Sequence, residues 1–584
     1  VLFRHITIKW ELKIREVHFS TDPGRMKRPL VIVYNNIEEY DIAVREGKPI
    51  EYKQWINLTK TMIDDLRANK ITMEDLEELQ IVEYISPEEQ LNCWYAPSID
   101  DLRKYQNDIR YHFTHLDIEQ AIFGVVVLSS PLASDSNAVR NTMYTNHRKQ
   151  SASWFALNYP FRIDKNMTLQ HYCDYPLISA FSDMLSYPTG HTPIVALALY
   201  DGYNVEDSLH VNQSSIDCGM YNASQYNSER TELERGEQFM NPDVARTQDI
   251  KREANYSNIN NGFVREGTLV QKGDVLIVKI AKLQKPTSNY IYADKSIIHK
   301  KPEAMRVEKV IVVRNSDGVT TAKVKLRSDR PLSVGDKLSS RTGNKGIVGI
   351  TAPRCDMPYL ADGTVVDIIV NVHSIPTRMA INQLIECAMG QLAARKGASE
   401  DATVFRKIDV HAIFKELEDR GIKYGGNKQA FNGHTGEPID TFMFVGPTTY
   451  NRLQKFAIDE HYAVRTGPTS ALTHQPLAGK HSDGGLRLGE MEKDVLCAHG
   501  TMRAFFNKFY TDSDGIENVI CRKCGGYAII NEQRDIYKCK KCSHAAEFAT
   551  VKTSWGANLL HNMLTAMSVK PEYEIAPIVF PRDM

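Results

Sequence analysis

No uninterrupted apolar stretch near 20 residues occurs in this 584-residue chain, which excludes a membrane-spanning helix. The opening, Val1 to Arg15, mixes basic and apolar residues without the apolar core of a signal peptide. Cysteine is scarce, with ten in the whole chain, too few for a disulfide scaffold. Six are scattered (Cys93, Cys173, Cys218, Cys355, Cys387, Cys497) and four cluster near the C-terminus, a pattern of a reducing, intracellular compartment and one metal site. Neither sign of charge is in excess: Lys+Arg 71 against Asp+Glu 72 gives a net charge of −1. That balance does not advertise a nucleic-acid binder, yet it is compatible with a basic channel offset by an acidic exterior. Internal repeats and low-complexity linkers are missing too, so fibrous and disordered classes are excluded. What is present, 42% hydrophobic and 24% charged residues, suits a globular protein with a large core. At roughly 100–200 residues per domain the length allows about three to five domains.

Apolar runs and punctuation divide the chain. The spacing predicts strands at Leu30–Tyr34, Ala121–Leu128, Ile194–Tyr200, Val275–Ile280 and Val365–Val370. Apolar residues recurring at three and four predict helices over Met62–Glu78, Met379–Lys396, Gly489–Lys508 and Ala557–Met567. Residues 221–328 read as a β-rich insertion, with Gly262, Gly267 and Gly273 at turn spacing.

Cys521-Arg-Lys-Cys524, fourteen residues, then Cys539-Lys-Lys-Cys542 is a four-cysteine zinc pattern. Two CxxC knuckles let four thiolates converge on one tetrahedral ion, and four protein ligands leave no open position, so the site is structural. His544 is near enough to replace one ligand, but four cysteines suffice. Four other groups carry charge into glycine-bearing loops. Gly335–Gly346 packs Lys337, Arg341 and Lys345 among three glycines, so that three cations face one anion; the bland reading is a solvated turn. The Walker phosphate loop is excluded, because it requires Gly-Lys-Ser/Thr at its end. Gly202–Ser208 sets Glu206 and Asp207 after an apolar strand, a pattern for Mg²⁺ or simply for a turn. Asn371–Arg378 is an extended segment opening a helix, with Arg378 available for an anion. Asp483-Gly484-Gly485-Leu486-Arg487 leads a double glycine into another helix.

Taken in order, these groups resemble the second-largest subunit of multisubunit DNA-dependent RNA polymerases, the family called β in bacteria. The resemblance runs from Asp22-Pro-Gly-Arg25-Met-Lys-Arg28-Pro29-Leu30 to Met567. Its landmarks are Thr114-His115, Arg140-Asn141 with Lys149-Gln150, Gly202–Ser208, Gly335–Gly346, Ile375–Met379, Phe431-Asn-Gly-His-Thr-Gly436, Gln475-Pro476 and Gly484–Glu492. The terminal CxxC pair resembles the archaeal, eukaryotic and viral branch.

The resemblance implies a mixed α+β multidomain C-terminal half. Its expected parts are an external region (1–113), a hybrid-binding domain in two pieces (114–220 and 329–486), and a β-rich wall or flap (221–328). An anchor (487–510) and a clamp segment with a zinc ribbon (511–584) complete it. The hybrid-binding core is expected to be a double-psi β-barrel. Lys337 and Lys345 match the lysines facing the RNA 3′ end and the incoming nucleotide. Asp207, with Glu206, matches the acidic pair near the second Mg²⁺. Arg140 and Arg378 match arginines on the triphosphate, with Arg341 a further substrate contact. Gly484, Gly485 and Arg487 match the switch loop that feels the RNA–DNA hybrid.

The departures are Ala138-Val139-Arg140-Asn141 for Ser-Pro-Arg-Asn and Arg341-Thr342-Gly343 for Arg-His-Gly. Before Gly467-Pro468, the family's lysine, histidine and arginine stand here as Glu460, Tyr462 and Val464, with His461 and Arg465 one position away. Such drift implies a virus-encoded or similarly fast-evolving polymerase, working in cytoplasm or nucleus of an infected cell or packaged in virions. The family's N-terminal half is not in the sequence, which implies a split gene or a portion of a longer chain. The three-aspartate loop that holds the catalytic Mg²⁺ in the largest subunit is also missing, so activity is expected only in assembly. Expected partners are that largest subunit, the N-terminal half if split, small assembly subunits, template DNA, the RNA–DNA hybrid and nucleoside triphosphates. The competing reading is a non-catalytic zinc-ribbon nucleic-acid-binding scaffold derived from the same fold. A covalent-lysine nucleotidyltransferase would need Lys-x-Asp-Gly, which the chain lacks.

Overall fold

The run at 194–200 shows no polar alternation because its strand, Ile194–Leu197, is buried on both faces. Val195 and Leu197 join one core with Leu209, Val211, Ile368 and Val370. Ala196, one residue out of phase, joins a second core with Ile369, Met443 and Val445. Strands enclosed this way lose the period-two signature and read as continuous apolar runs. Full burial of each such side chain contributes about 1.5–3 kcal/mol.

The computed structural model describes residues 5–10, 15–20, 27–251, 254–283, 291–316, 318–543 and 546–576. The first residues of the Asp22 motif, Asp22 to Met26, and also His544, lie outside the described residues. The chain forms two compact units, Val1–Asp459 and Glu460–Met584.

The first unit is built on a nine-stranded mixed sheet. Its spatial order is Tyr359–Leu360, Asn427–Phe431, Pro438–Pro447, Ile194–Leu197, Ile368–Val370, Ser208–Asn212, Lys345–Ala352, Lys337–Ser340 and Tyr450–Arg452. Two pairs run parallel: Ile194–Leu197 with Ile368–Val370, and Ser208–Asn212 with Lys345–Ala352. Helix Ile381–Lys396 packs on strand Pro438–Pro447; a Cβ at Gly390 would lie 2.4 Å from the Pro447 carbonyl oxygen, so that approach requires glycine. The helix begins after Met379, whose φ of +52° cannot belong to it.

The expected β-rich insertion is present. Ala223–Glu232 and Thr320–Arg330 pair over their whole length, and Met305–Arg314 extends the sheet. Asn166–Gln170, from an earlier part of the chain, adds a strand on the other side. The expected strand Val275–Ile280 is two, Val275–Ile277 and Ile280–Lys282. Near the N-terminus, Arg28–Asn35 is the hub of a separate sheet with Gln54–Ile56, Val82–Ile85 and His115–Leu116.

Three further expectations about elements fail. Ala121–Leu128 is not a strand; two short helical turns, Glu119–Ile122 and Val127–Ser129, flank Gly124. Its apolar residues pack on Val404 and Phe405, a tertiary contact that overrides β propensity. Met62–Glu78 is split into Lys60–Arg67 and Met73–Glu78, because Thr72 and Asp75 form a capping box that starts a new helix. Gly489–Lys508 is broken at Gly500, φ +67°, into Glu490–Ala498 and Met502–Phe506.

In the second unit, Gly515–Cys521 pairs with Phe548–Ser554, and helix Trp555–Ala566 follows with Ser554 as its N-cap. A short hairpin, Ile529–Asn531 with Ile536–Lys538, lies between the two cysteine pairs in sequence.

Candidate functional site

Lys337–Ser340 and Lys345–Ala352 form an antiparallel hairpin in which Lys337 opposes Ile347 and Ser339 opposes Lys345. Opposed residues share a face, so Lys337 and Lys345 are diagonal neighbours on one face, about 7–8 Å apart at ordinary sheet spacing. No ion pair to either lysine occurs among the described residues. Ser208 lies beside Ile347 in the parallel neighbour strand, and the Ile347 N–H donates to the Asp207 carbonyl (2.9 Å). This pairing delivers Glu206 and Asp207 to the lysine hairpin. It requires glycine at 346, where a Cβ would lie 2.7 Å from the Asp207 carbonyl oxygen. Glu206 sits in left-handed backbone, φ +58°, a conformation that costs a non-glycine residue about 1–3 kcal/mol.

One arginine lines the cleft and a second stands beside it. Arg378, at the end of the turn Pro376–Arg378, donates to the Asp207 carboxylate and to Asn344 Oδ1. Arg140, on helix Ala138–Lys149, donates to the Gly343 carbonyl (3.4 Å). Glu206, Asp207, Asn344, Lys345, Asn371 and Arg378 line one small cleft. Arg140 stands beside it: burial and the charge of Arg378 press its guanidinium below the ordinary value, and Asp207 opposes them. Burial, Lys345 and Arg140 together hold the imidazole of His147 down to about 4. His147 is therefore neutral near pH 7, with Nδ1 2.9 Å from Ser339 Oγ.

Arg341 does not join this group, contrary to the expectation of three cations facing one anion. It is 3% exposed, and residues 340–344 turn into the interior. Its Nε and Nη2 donate to Glu386 (3.1 and 2.7 Å), Nη1 to Asp183 (3.0 Å), and Nη2 to the Ile178 carbonyl (2.6 Å). Burial pushes the Glu386 carboxyl up against the pull of Arg341. Asn344, His147 and Glu386 are participants that motif reading missed. Only Glu386, the one acid in helix Ile381–Lys396, left a trace in the sequence.

In the second unit the four cysteine sulfurs lie within 4.8 Å of one another, with Cys521 and Cys539 buried. Ligands on a tetrahedral ion at a Zn–S distance of about 2.3 Å stand about 3.8 Å apart, so the cluster fits such an ion. Burial raises the Cys521 thiol, but the backbone N–H groups of Cys524 and Lys523 prevail and hold it at about 6, favouring the thiolate a metal needs. Elsewhere in this unit Gly484 is buried, and a Cβ there would lie 2.1 Å from the Leu477 carbonyl oxygen. The Gly485 N–H donates to that same carbonyl (2.7 Å). Tyr462, one of the departures, donates its hydroxyl to the Gly484 carbonyl (2.7 Å), and Lys480 donates to the His461 carbonyl (3.2 Å). Arg465 and Arg487 are exposed.

The family model "RNA polymerase Rpb2, domain 6" matches residues 126–482, and "RNA polymerase Rpb2, domain 7" matches 484–576. DNA-directed RNA polymerase II subunit 2 of Arabidopsis thaliana is 34% identical, covering 96% of this chain and 48% of its own length. The RPB2 subunit of Schizosaccharomyces pombe is 32% identical over 97% of this chain and 50% of its own. Rpo2 of the archaeon Saccharolobus shibatae is 31% identical over 96% and 49%. The chain thus spans about half the length of these relatives. Two adjoining domain matches covering the cleft and the cysteine cluster, with relatives aligned along nearly the whole chain, place it in a family: it belongs to the Rpb2 family of second-largest RNA polymerase subunits.

Proposed function

We propose that this chain supplies half of the active-site cleft of a multisubunit DNA-directed RNA polymerase and acts only in complex with the largest subunit. The observation that carries this is the convergence of Lys345, Arg378, Glu206 and Asp207 in one cleft, with Arg140 beside it and Lys337 on the same face as Lys345. The nine-stranded sheet, with two parallel pairs between two cores, supports reading the hybrid-binding core as a double-psi β-barrel.

Phosphoryl transfer demands little covalent chemistry of the protein; it needs in-line positioning and neutralisation of triphosphate charge. Arg140 and Arg378 bind the triphosphate oxygens, and Lys337 and Lys345 hold the RNA 3′ end and the incoming nucleotide. In the free chain Arg378 is engaged by Asp207. The pair is partly exposed, a geometry worth only about 0–1 kcal/mol, so a phosphate displaces the carboxylate readily. Two carboxylates are too few to hold Mg²⁺ alone, so Glu206 and Asp207 complete a site whose other ligands come from the largest subunit and the nucleotide. When bound, such an ion offsets charge on the phosphate oxygens. Cys521, Cys524, Cys539 and Cys542 hold a structural zinc whose part is to tie the two knuckles together. Gly484, Gly485 and Arg487, with His461 and Arg465, contact the RNA–DNA hybrid.

The test is purification of the tagged chain from its source. We expect a co-purifying chain with the three-aspartate loop and template-dependent nucleotide incorporation. In that complex Lys345→Ala should depress incorporation at least about tenfold while leaving assembly intact. A chain that purifies alone, binding zinc and nucleic acid without incorporation, favours the scaffold reading instead.

A further inference from the structure

Both ends of the β-rich insertion, within the first unit, meet at one guanidinium. Ala223 pairs with Arg330, so Tyr221 and Arg330 are the insertion's two feet. Arg452, 1% exposed, donates through Nη1 to the carbonyls of Tyr221 and Arg330, both at 2.6 Å. Its Nη2 donates to the Pro331 carbonyl (3.1 Å) and to Asp336 Oδ2 (2.7 Å). Asp336 immediately precedes Lys337, and Arg452 itself pairs with Leu338 in the neighbouring strand. Phe456 lies under two guanidinia, with Arg452 at 4.6 Å and Arg330 at 5.1 Å from its ring centroid. Arg330 in turn donates to Glu303 and Asp459.

A charge buried this deeply persists only when it is compensated; the two Nη groups reach three carbonyls and a carboxylate, a spread that one ammonium cannot cover, while Nε has no partner among the described residues. The same group therefore touches both feet of the insertion and the residue next to the first lysine. We propose that Arg452 is a positioning residue that couples the pose of the insertion to that of the lysine hairpin, so that loosening one loosens the other. Its consequence for nucleotide addition rests on the polymerase reading above; the coupling itself does not.

The experiment is hydrogen–deuterium exchange on the full chain, with nucleotide kinetics in the assembled complex. Arg452→Met should raise exchange together in 222–232, 320–330 and 335–348, leaving the N-terminal sheet around 28–35 protected. Arg452→Lys should restore part of that protection. Asp336→Asn removes the carboxylate that takes Arg452 at the hairpin, together with its bonds from Ser333 and the Ala457 N–H, but leaves the Arg452 bonds to the two feet; it should raise exchange in 335–348 and spare 222–232, and it keeps the test open should the Met variant fail to fold. In the complex, Asp336→Asn should raise the KM for nucleotide about tenfold with a smaller change in kcat, because misplacement of a binding group by about 1 Å is enough for losses of that order. Exchange that rises everywhere, or a hairpin unmoved by Asp336→Asn, overturns the coupling. Coupled exchange with an unchanged KM overturns the positioning role while the polymerase reading stands. A wild-type complex without incorporation fails that reading, and exchange alone then decides the coupling.

Discussion

His147 carries the electrostatic imprint of the cleft. Its imidazole is held at about 4 when folded, against an ordinary value of 6.5, because burial and the charges of Lys345 and Arg140 penalise protonation. Between those two values the unfolded chain binds a proton that the folded chain does not, so stability falls as pH drops from about 6.5 toward 4. His147→Gln should flatten that decline, read as the difference in urea midpoint between pH 7.5 and pH 5; an unchanged decline would sink the assignment. Arg341 is the opposite case, a cation with no route to solvent. Arg341→Met strips buried Glu386 and Asp183 of the guanidinium they share, and we expect a loss of about 3–5 kcal/mol. Adding Glu386→Gln should recover part of that loss, because it removes one of the two stranded charges. Equal stability of the single and double variants would show that the ion pair is not what holds the loop.

At the level of elements, the parts of the site legible in the sequence are those whose chemistry is local. The lysine hairpin announces itself because Gly335, Gly343 and Gly346 bracket its cations within twelve residues, and at 343 and 346 the backbone demands glycine. The cysteine knuckles are legible for the same reason, since CxxC spacing alone brings two sulfurs together. Arg341 and Arg452 were not legible in this way: their hydrogen-bond partners lie 45 to 231 residues away, and only the folded chain shows that they are buried. Ala121–Leu128 failed likewise, its strand-like composition outweighed by packing on Val404 and Phe405. The cysteine element gives its own test. Cys539→Ser removes a buried ligand, and because metal binding at such sites is folding free energy, of order 10–16 kcal/mol, loss of zinc should be total and local. Metal content should fall from about one zinc per chain to none, with proteolysis beginning within 515–554. A zinc-replete, protease-resistant variant would show that three sulfurs suffice.

For the whole molecule, a net charge of −1 hides an uneven distribution. Glu303 and Asp459 are spent on Arg330, and Asp183 and Glu386 on Arg341, whereas Lys337 and Lys345 remain without a carboxylate among the described residues. The chain thus neutralises its buried arginines internally and leaves the hairpin cations for an external anion. Near-neutral overall charge then predicts weak attraction to nucleic acid at long range and strong attraction only at the cleft. If the external anion is a nucleic-acid backbone, each phosphate contact releases counterions, and log K falls against log salt with a slope of about −0.9 per contact on a duplex and about −0.7 on a single strand. The double variant Lys337→Ala/Lys345→Ala should therefore weaken binding of a template–transcript hybrid by the assembled complex and make the slope shallower by roughly 1.4 to 1.8. Fluorescence anisotropy between about 50 and 200 mM salt spans the range in which that difference is readable. A double variant with the parental slope would mean that these lysines face no phosphate, and the basic face of the hairpin would then need another ligand.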